Sequence, residues 1–369
     1  MGILPKRMSK YLRWRASQSK QADAAYKLMS QRAFRLGEWL DQHHYCGIDV
    51  AAHYPASRMS TVSAFAMVGW LNLADLTKNE VYRRKAEACL ELVLEDQTAP
   101  GCWLFPYPFR KNAKDYPYSC ENFMTLECLI QYANRTGQKD RAASSVQQAI
   151  GYLLEHVGHD RGAFYYSAAD KIRVPNISSM AARVFAESSA LLHQPDHLEL
   201  ARTFARYCIG QQEDDGGYPY YEGQLEVYVP YHALETWELW EANKRLNDPA
   251  VAESVARAVQ FLRRTLAQQG YASFAPSRGR SQVFKTAIWS AKAFLTTGFL
   301  EEAGRHLAYG LTRHSIPETG AYFYLLRSFF GMPMPIFSTP FIRYNASAFE
   351  ICTTWLCATV AIQSAPKAS

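Results

Sequence analysis

The sequence predicts an all-α domain in which six helical hairpins close into a ring, an (α/α)6 toroid. One observation is a ladder of six glycines at nearly even intervals, each in or beside a turn rich in Trp, Tyr or Phe. A second is the pattern between them, where a helix, a short polar turn, another helix and a long loop repeat. A repeat of this length indicates stacked copies of one supersecondary unit. The glycine ladder consists of Gly47, Gly101, Gly162, Gly216, Gly270 and Gly320.

Apolar periodicity, together with helix-start and helix-stop residues, defines the helices of each unit. The first and last helices, 21–44 and 345–363, have no partner of their own, and together they supply the sixth hairpin. Ring closure explains how helical repeats avoid terminal capping units; an open solenoid is the alternative. The other five pairs are predicted at 58–77 with 79–96, 119–136 with 138–157, 177–193 with 196–211, 228–243 with 249–269, and 285–297 with 299–314.

We predict a single toroid domain over residues 21–363, between a basic N-terminal tail, 1–20, and a C-terminal tail, 364–369. Turns within each hairpin are short, whereas the loops between hairpins are long, and long structured loops in a compact domain are usually functional. They converge where the inner helices begin, so the positive ends of six helix dipoles point to one cavity and favour an anionic ligand. The long loops are predicted at roughly 97–118, 158–176, 212–228, 269–285 and 315–344.

Composition argues against several classes of function. The net charge is only +6 in 369 residues and no long block of like charges is present, so nucleic-acid binding has little support. The sequence shows no signal peptide, no apolar stretch near the roughly 18 residues of a transmembrane helix, and no cysteine spacing typical of zinc. We therefore expect a cytoplasmic protein without metal or cofactor. Basic residues from Lys6 to Lys20 suggest a peripheral inner-membrane or assembly-complex contact, with a solvated tail as the alternative.

The turn around Gly216 resembles a known pattern. Residues 210–220, Gly-Gln-Gln-Glu-Asp-Asp-Gly-Gly-Tyr-Pro-Tyr, resemble the Gln, Asp-Gly-Gly and aromatic sequence that closes the helical repeats of six-hairpin enzymes, and 97–103 is a looser copy. Residues 231–235, Tyr-His-Ala-Leu-Glu, resemble the His-led inner helix of helical-toroid proteins from bacterial exopolysaccharide clusters. This resemblance implies the (α/α)6 fold. It does not by itself name a reaction, because the architecture hosts many chemistries.

The sequence lacks motifs that are typical of several six-hairpin families, and this limits the families that it resembles. Class II terpenoid cyclases carry a DxDD acid motif, whereas residues 212–215 here read Gln-Glu-Asp-Asp. Protein prenyltransferases and lanthionine cyclases carry cysteine and histidine zinc ligands, which no spacing here reproduces. The sequence is therefore most similar to the carbohydrate-acting branch, which includes glucuronyl C5-epimerases and unsaturated-uronide hydrolases.

The predicted catalytic residues lie at and after the Gly216 turn. Tyr231, His232 and Glu235 share faces of one helix, because they are three and four positions apart. A Tyr, His and carboxylate cluster suits proton abstraction beside a uronate carboxyl group. Asp214 and Asp215 are candidates for glycosidic hydrolysis, which uses paired carboxylates. The alternatives are a structural Asp-Gly turn and a His–Glu pair that is satisfied inside the barrel.

The predicted substrate-binding residues are aromatic, cationic and polar side chains at the starts of the inner helices. Aromatic rings stack on sugar faces, and arginine can hold a carboxylate with two hydrogen bonds. Ordinary surface cations of a basic protein are the alternative for each single residue. The set is Trp103, Tyr107, Arg110, Tyr118, Glu121, Asn122, Asn176, Tyr218, Tyr220, Lys285, Trp289, Arg343, Tyr344 and Asn345.

We predict from these features a protein that acts on an acidic, uronate-type oligo- or polysaccharide by epimerisation, elimination or hydrolysis. A terpenoid cyclase-like enzyme is one alternative, since aromatic-lined toroids also stabilise carbocations. The other alternative is a glycan-binding or scaffold subunit of a polysaccharide assembly complex that has no catalytic activity.

Overall fold

The structure is a computed structural model that describes residues 24–47, 57–109, 112, 114–269, 273–275, 281–316, 319–329, 332–335 and 342–364. The predicted N-terminal tail lies outside these ranges, as does the predicted C-terminal tail beyond Ser364. Within them, no helix is both long enough and apolar enough to cross a membrane.

The described ranges contain twelve helices, which pair as the repeat predicts. Most predicted boundaries lie within about one turn of the observed ones, and a π-helical turn, Leu153–Val157, extends the fifth helix. The helices are α1 (24–42), α2 (Ser60–Thr77), α3 (Glu80–Glu95), α4 (Ser119–Thr136), α5 (Lys139–Tyr152), α6 (Pro175–Leu191), α7 (Asp196–Gly210), α8 (Val229–Leu246), α9 (Pro249–Gln269), α10 (Phe284–Thr296), α11 (Leu300–Arg313) and α12 (Ile342–Ser364).

Burial separates the even-numbered helices from the odd-numbered ones. Every residue of α2 from Ser60 to Ala74 is buried, whereas α3 buries one stripe that includes Ala86, Leu90 and Val93. A helix that is buried on all sides lies inside a domain, and a helix with one buried stripe packs on its surface. Helices α2, α4, α6, α8, α10 and α12 therefore form an inner layer.

The inner helices form a closed ring. Each contacts the next in chain order, and α12 contacts α2. Helix α1 packs across this junction, where Gly37 lies against Trp70 of α2 and Phe349 of α12. The first and last helices thus supply the sixth hairpin, and the predicted (α/α)6 toroid is confirmed.

The ladder glycines hold the long loops against the outer helices. Gly101 and Gly216 have φ values of +97° and +93°, in the left-handed region that favours glycine. A Cβ atom on Gly216 would lie 2.6 Å from the carbonyl oxygen of Arg257 in α9, and one on Gly101 would lie 2.7 Å from that of Gln148 in α5. A larger residue at either glycine would force the loop away from the outer helix of the next hairpin, α9 for Gly216 and α5 for Gly101.

A glutamine secures each of these two turns. Gln212 Nε2 donates to the carbonyl oxygens of Gly216 and Ser254, at 3.0 and 2.9 Å. Gln97 makes the equivalent bonds to Gly101 and to a serine of α5. The Gln and Gly residues that carried the family resemblance therefore join consecutive hairpins in this protein.

Short strands, which the sequence did not predict, lie in the long loops. Strands β1 (Cys46–Gly47) and β2 (Ser57–Arg58) pair antiparallel, as do β3 (His159–Asp160) and β4 (Ala163–Phe164). Strand β6 (Leu325–Phe329) pairs antiparallel with both β5 (Ser281–Val283) and β7 (Met332–Pro335). These pairings order loops on the side of the ring where the inner helices begin.

Candidate functional site

A cavity of about 240 Å³ lies where the inner helices begin, and its wall is formed by residues of α4, α6, α8, α10 and α12, by Met59 directly before α2, and by the long loops. Helix N-termini carry partial positive charge, so an anion is favoured at this position. The described lining residues are Met59, Phe105, Tyr107, Phe109, Tyr118, Cys120, Glu121, Met124, Tyr166, Asn176, Ile177, Tyr220, Tyr231, Leu234, Lys285, Trp289, Tyr324, Ile342, Arg343 and Tyr344.

The loop carbonyls hold several of these helix starts in place. The first backbone N–H of α4, at Ser119, donates to Tyr166, and that of α8, at Val229, donates to Phe274. Phe284 at the start of α10 donates to Tyr324 in the same way. Each helix start is thus fixed by the loop of the next unit, and the side chains of its first two turns have a defined position in the cavity.

Arg343 and Glu121 form an ion pair in the cavity wall. Glu121 also accepts a hydrogen bond from Thr61 Oγ1 at 2.9 Å. Burial opposes the charge of Arg343, but the Glu121 carboxylate outweighs it and raises the pKa of the guanidinium group, which stays cationic. Arg343 Nε is buried and has no hydrogen-bond partner. A buried donor without a partner is costly, so this atom can gain from an acceptor on a ligand.

Lys285 is a second basic side chain in the cavity, and it is only 3% exposed. Its Nζ lies 3.8 Å from the ring centre of Tyr231, 4.0 Å from that of Trp289 and 5.4 Å from that of Tyr344. No other described residue forms a hydrogen bond or an ion pair with it. Burial, and then the positive charge of Arg343, lower the Lys285 pKa well below its usual value of 10.5.

Polar and aromatic groups complete the wall. Asn176 Oδ1 is buried without a hydrogen-bond partner and is therefore an unused acceptor. Tyr220 lies with its ring centre 4.5 Å from that of Tyr231, and the rings of Tyr324 and Tyr344 stack at 4.8 Å. Such flat apolar faces with polar edges suit the faces and hydroxyl groups of a sugar.

The structure separates the three residues of the predicted catalytic cluster. Tyr231 lines the cavity, whereas His232 and Glu235 are not among its lining residues. His232 Nδ1 accepts from the backbone N–H of Tyr218 at 3.1 Å, and its Nε2 lies 3.0 Å from the carbonyl oxygen of Ala258. Burial lowers the His232 pKa to about 4. Both ring nitrogens are thus occupied on the side of α8 away from the cavity, which gives this histidine a structural role.

In other repeats too, the side chain of the fourth residue of an inner helix accepts a hydrogen bond from a backbone N–H of the preceding loop. Asn122 Oδ1 accepts from Trp103 N–H at 2.9 Å, and Asn345 Oδ1 accepts from a backbone N–H at 2.9 Å. Each donor is the aromatic residue two positions after a ladder glycine, as Tyr218 is in its repeat. The predicted binding residues Trp103, Asn122, Tyr218 and Asn345 therefore connect loops to helices and do not line the cavity.

The predicted carboxylates other than Glu121 also lie away from the cavity. Glu235 is buried beside Cys208 of α7, and burial raises its pKa well above the usual range. Asp214 and Asp215 are exposed, and Asp215 Oδ1 accepts from the backbone N–H of Gly217. Asp215 thus supplies an acceptor within the turn itself, and Asp214 lies beside it on the surface. Arg110 lies outside the described residues.

The cavity thus brings together ten of the predicted residues and adds others. Three of the four aromatic lining residues that the sequence analysis missed share a spacing that was already visible in the sequence, since each follows a ladder glycine by four positions, as Tyr220 does; Phe109 does not. The three are Phe105, Tyr166 and Tyr324. The predicted residues in the wall are Tyr107, Tyr118, Glu121, Asn176, Tyr220, Tyr231, Lys285, Trp289, Arg343 and Tyr344.

Several solved structures have the same architecture and align with most of this chain. An unsaturated glucuronyl hydrolase specific for heparin superposes with a TM-score of 0.68 at 11% identity, over 92% of this chain and 98% of that one. Cellobiose 2-epimerase from Bacillus thermoamylovorans gives a TM-score of 0.64 at 14% identity, over 85% and 91% of the two chains. A GH76 α-mannanase from Bacteroides thetaiotaomicron gives 0.66 at 10% identity, over 91% and 97%.

These comparisons place the chain in the class of (α/α)6 toroids. No protein-family model and no curated protein sequence matches it. At identities of this size the likeness shows the fold alone, and the three similar proteins carry out different reactions on that fold. The reaction of this protein must therefore be argued from its own cavity.

Proposed function

We propose that the cavity binds an acidic, uronate-type residue of an oligo- or polysaccharide and moves a proton at the carbon beside its carboxylate. The outcome is epimerisation or elimination. The observation that carries this proposal is the composition of the cavity wall, where Lys285 and Arg343 face a space whose described lining contains one carboxylate, Glu121. Helix dipoles add further positive potential.

Arg343 is the group that suits the substrate carboxylate. Its charge is permanent, and its planar donors match a carboxylate better than a lysine ammonium group does. Because its Nε–H has no partner, Arg343 can donate to a second anion while it keeps its ion pair with Glu121. Charge-assisted hydrogen bonds of this kind are about twice as strong as neutral ones.

Lys285 and Tyr231 are the proton-transfer pair. Because its pKa is lowered, the Lys285 amine can take the proton from the carbon beside the carboxylate, and the C–H electron pair moves into an enolate that Arg343 stabilises. Burial, and then the neighbouring Tyr220, raise the Tyr231 pKa, so its phenol stays protonated and donates. Protonation of the carbon on its other face completes epimerisation. Protonation of the departing glycosidic oxygen completes elimination.

Hydrolysis, the third predicted reaction, has weaker support. It uses two carboxyl groups across the scissile bond, roughly 5 to 10 Å apart depending on the stereochemistry. Among the described lining residues the only carboxylate is Glu121, which is already held by Arg343 and Thr61. The terpenoid cyclase-like alternative also loses support, because the permanent charge of Arg343 in the cavity opposes a carbocation intermediate.

The test is to incubate the protein with polygalacturonate, polymannuronate and polyglucuronate in deuterated water. We expect deuterium at the carbon beside the carboxylate in one of them, or ultraviolet absorbance from an unsaturated product. Tyr231→Phe should abolish the reaction, whereas Tyr218→Phe removes a buried hydroxyl outside the cavity and should not. Binding of a polyuronate by the wild type without deuterium uptake or cleavage would refute the reaction and favour the glycan-binding alternative.

A further inference from the structure

We infer that the cavity is a blind well that accepts the end of an acidic glycan chain, about one sugar residue deep, and excludes internal residues of the chain. This inference rests on the proposed function, because it concerns how the same substrate enters the same site. It follows from the wall, the floor and the unused hydrogen-bonding atoms of the cavity.

The wall surrounds the ligand on every side at the depth of the cations. The inner helices form a closed ring, and residues of five of them surround the cavity together with Met59, which directly precedes α2, so the described helices leave a polymer no route between them at this level. A volume of about 240 Å³ is also small beside the roughly 300 to 1,000 Å³ of pockets that hold drug-sized ligands. In ring order, one lining residue at the start of each unit is Met59, which directly precedes α2, followed by Glu121, Asn176, Tyr231, Lys285 and Arg343 on the other five inner helices.

The floor closes the axis of the ring. Met124, Leu234 and Trp289 line the cavity about one turn beyond the starts of three different inner helices, so we assign them to its floor. One turn further along two of these helices lie Glu127 and Glu238, which are buried. These residues belong to a cluster of charged side chains, which we call the axial ionic layer, together with Arg183, Lys292 and Glu350.

The axial ionic layer fills the ring from side to side. Arg183 of α6 contacts Glu127 of α4 at 3.1 Å and Glu238 of α8 at 3.2 Å. Lys292 of α10 contacts Glu350 of α12 at 3.3 Å. Its Nζ also lies 5.9 Å from the ring centre of Phe65 in α2, so all six inner helices meet in this layer.

A chain that enters the cavity therefore cannot leave through the other end of the toroid. Arg183 and the three glutamates of the layer are buried and Lys292 is largely so, and removing one member would leave unpaired charges inside the protein. The layer is consequently a permanent plug and not a gate. Entry is left to the side of the long loops, where a glycan must present a terminus.

Two unused atoms show that a single residue fills the well. Arg343 Nε, a donor, lies on α12, and Asn176 Oδ1, an acceptor, lies on α6, three positions away in the six-membered ring. Both are buried and line one small cavity. One ligand residue must supply an anionic acceptor on one side and a hydroxyl donor on the other, which a terminal uronate does.

The experiment separates chain ends from chain interiors. One polyuronate is partly hydrolysed with acid to a series of lengths, and the rate of deuterium uptake is measured at constant mass of uronate. End recognition predicts that shortening the chain tenfold raises the rate about tenfold and that mass spectrometry finds deuterium only in terminal residues. A rate independent of length, or deuterium in internal residues, overturns the blind well while leaving the proposed reaction intact.

Binding of a free monosaccharide gives a second, independent readout. Calorimetry with glucuronate and galacturonate should show saturable binding, and glucose and galactose should bind at least about tenfold more weakly. Asn176→Ala should weaken uronate binding about tenfold, and Tyr218→Phe should not change it. Monosaccharide binding without any turnover of polymers supports the well and refutes the reaction. Binding of long polyuronates without binding of either monosaccharide refutes the well.

Discussion

Two buried lysines lie two turns apart on α10 in opposite environments. Lys292 belongs to the axial ionic layer, where burial opposes its charge but Glu350 and its neighbours outweigh this and raise its pKa. Lys285 faces the cavity, where burial and Arg343 lower its pKa, and no described residue forms an ion pair with it. The fold thus gives Lys292 an ion-pair partner, whereas Lys285 forms no ion pair within the part of the chain that the structure describes.

This difference distinguishes structural charge from functional charge in the same helix. A buried charge with good partners can be tolerated in a stable fold, whereas one without partners lowers stability. A protein retains the second kind where a ligand or a reaction supplies the missing partner. The following predictions test the contrast between the axial ionic layer and the cavity, beginning with the largest expected effect.

Arg183→Met should lower the free energy of unfolding by about 3 to 5 kcal/mol, because Glu127 and Glu238 would remain buried without their partner. Urea denaturation followed by circular dichroism measures the change. Arg141→Met is the matched control, since it breaks an exposed ion pair with Glu91 and should have a much smaller effect. Equal effects of the two substitutions would show that the axial layer does not stabilise the ring.

Lys285→Met should abolish uronate turnover, by about 100-fold or more, while leaving stability unchanged or raised. The reason is that methionine keeps the apolar contacts with Tyr231 and Trp289 and removes an unpaired charge. Lys292→Met should show the reverse, with stability lost by about 3 kcal/mol or more because Glu350 is left unpaired. Turnover assays and denaturation on the same samples give both quantities. Full activity of Lys285→Met would remove this lysine from the mechanism.

The pH dependence of both stability and turnover should reflect the lowered pKa of Lys285. Its folded pKa lies below the unfolded value near 10.5, so the stability it contributes is present above that value and is lost as pH falls through the folded pKa. The wild type should therefore gain stability relative to Lys285→Met as pH rises towards 10.5. Turnover should rise by up to about tenfold per pH unit until the amine is neutral. A flat turnover profile would contradict Lys285 as the base.

Substitutions of His232 should have the smallest effects on stability and turnover. His232→Asn should preserve stability within about 1 kcal/mol, because Asn122 makes the same bond at the equivalent position of another repeat. His232→Ala should cost about 1 to 3 kcal/mol, since the Tyr218 N–H would lose its acceptor in a buried site. Both variants, once folded, should keep their turnover. Loss of turnover in a stable His232→Asn protein would restore the predicted catalytic role.

Much of the fold was predictable because the signals are local and repeated. The glycine ladder and the helix-start residues sit at fixed positions in each unit, and the structure confirms the helix pairs to which they belong. A cavity also lies at the helix starts, where the sequence predicts the ligand site, and the predicted residues Lys285, Arg343 and Tyr231 line it. The short strands were missed because each depends on pairing between distant loops, as in β5 with β6.

Sequence reasoning grouped residues of the same helix that the structure places on different sides of it. Tyr231 and His232 are adjacent in the chain, yet one faces the cavity and the other accepts from Tyr218. Sequence spacing gives the angle between two side chains on a helix, and it does not give the direction of the cavity. In the Asp-Gly-Gly turn, residue type was the misleading signal. Its aspartates are of a kind that often acts in catalysis, but here they belong to a turn that connects consecutive hairpins.

Sequence patterns alone establish the helix pairs, their order in a closed ring and the end of the ring at which the loops gather. These follow from periodicity and turn chemistry, which act over a few residues. The pairing of Lys292 with Glu350, the isolation of Lys285 and the closure of the axis by Arg183 depend on packing among six helices. Whether a buried charge has a partner is set by side chains that are far apart in the chain, and so it becomes visible only when the ring is assembled.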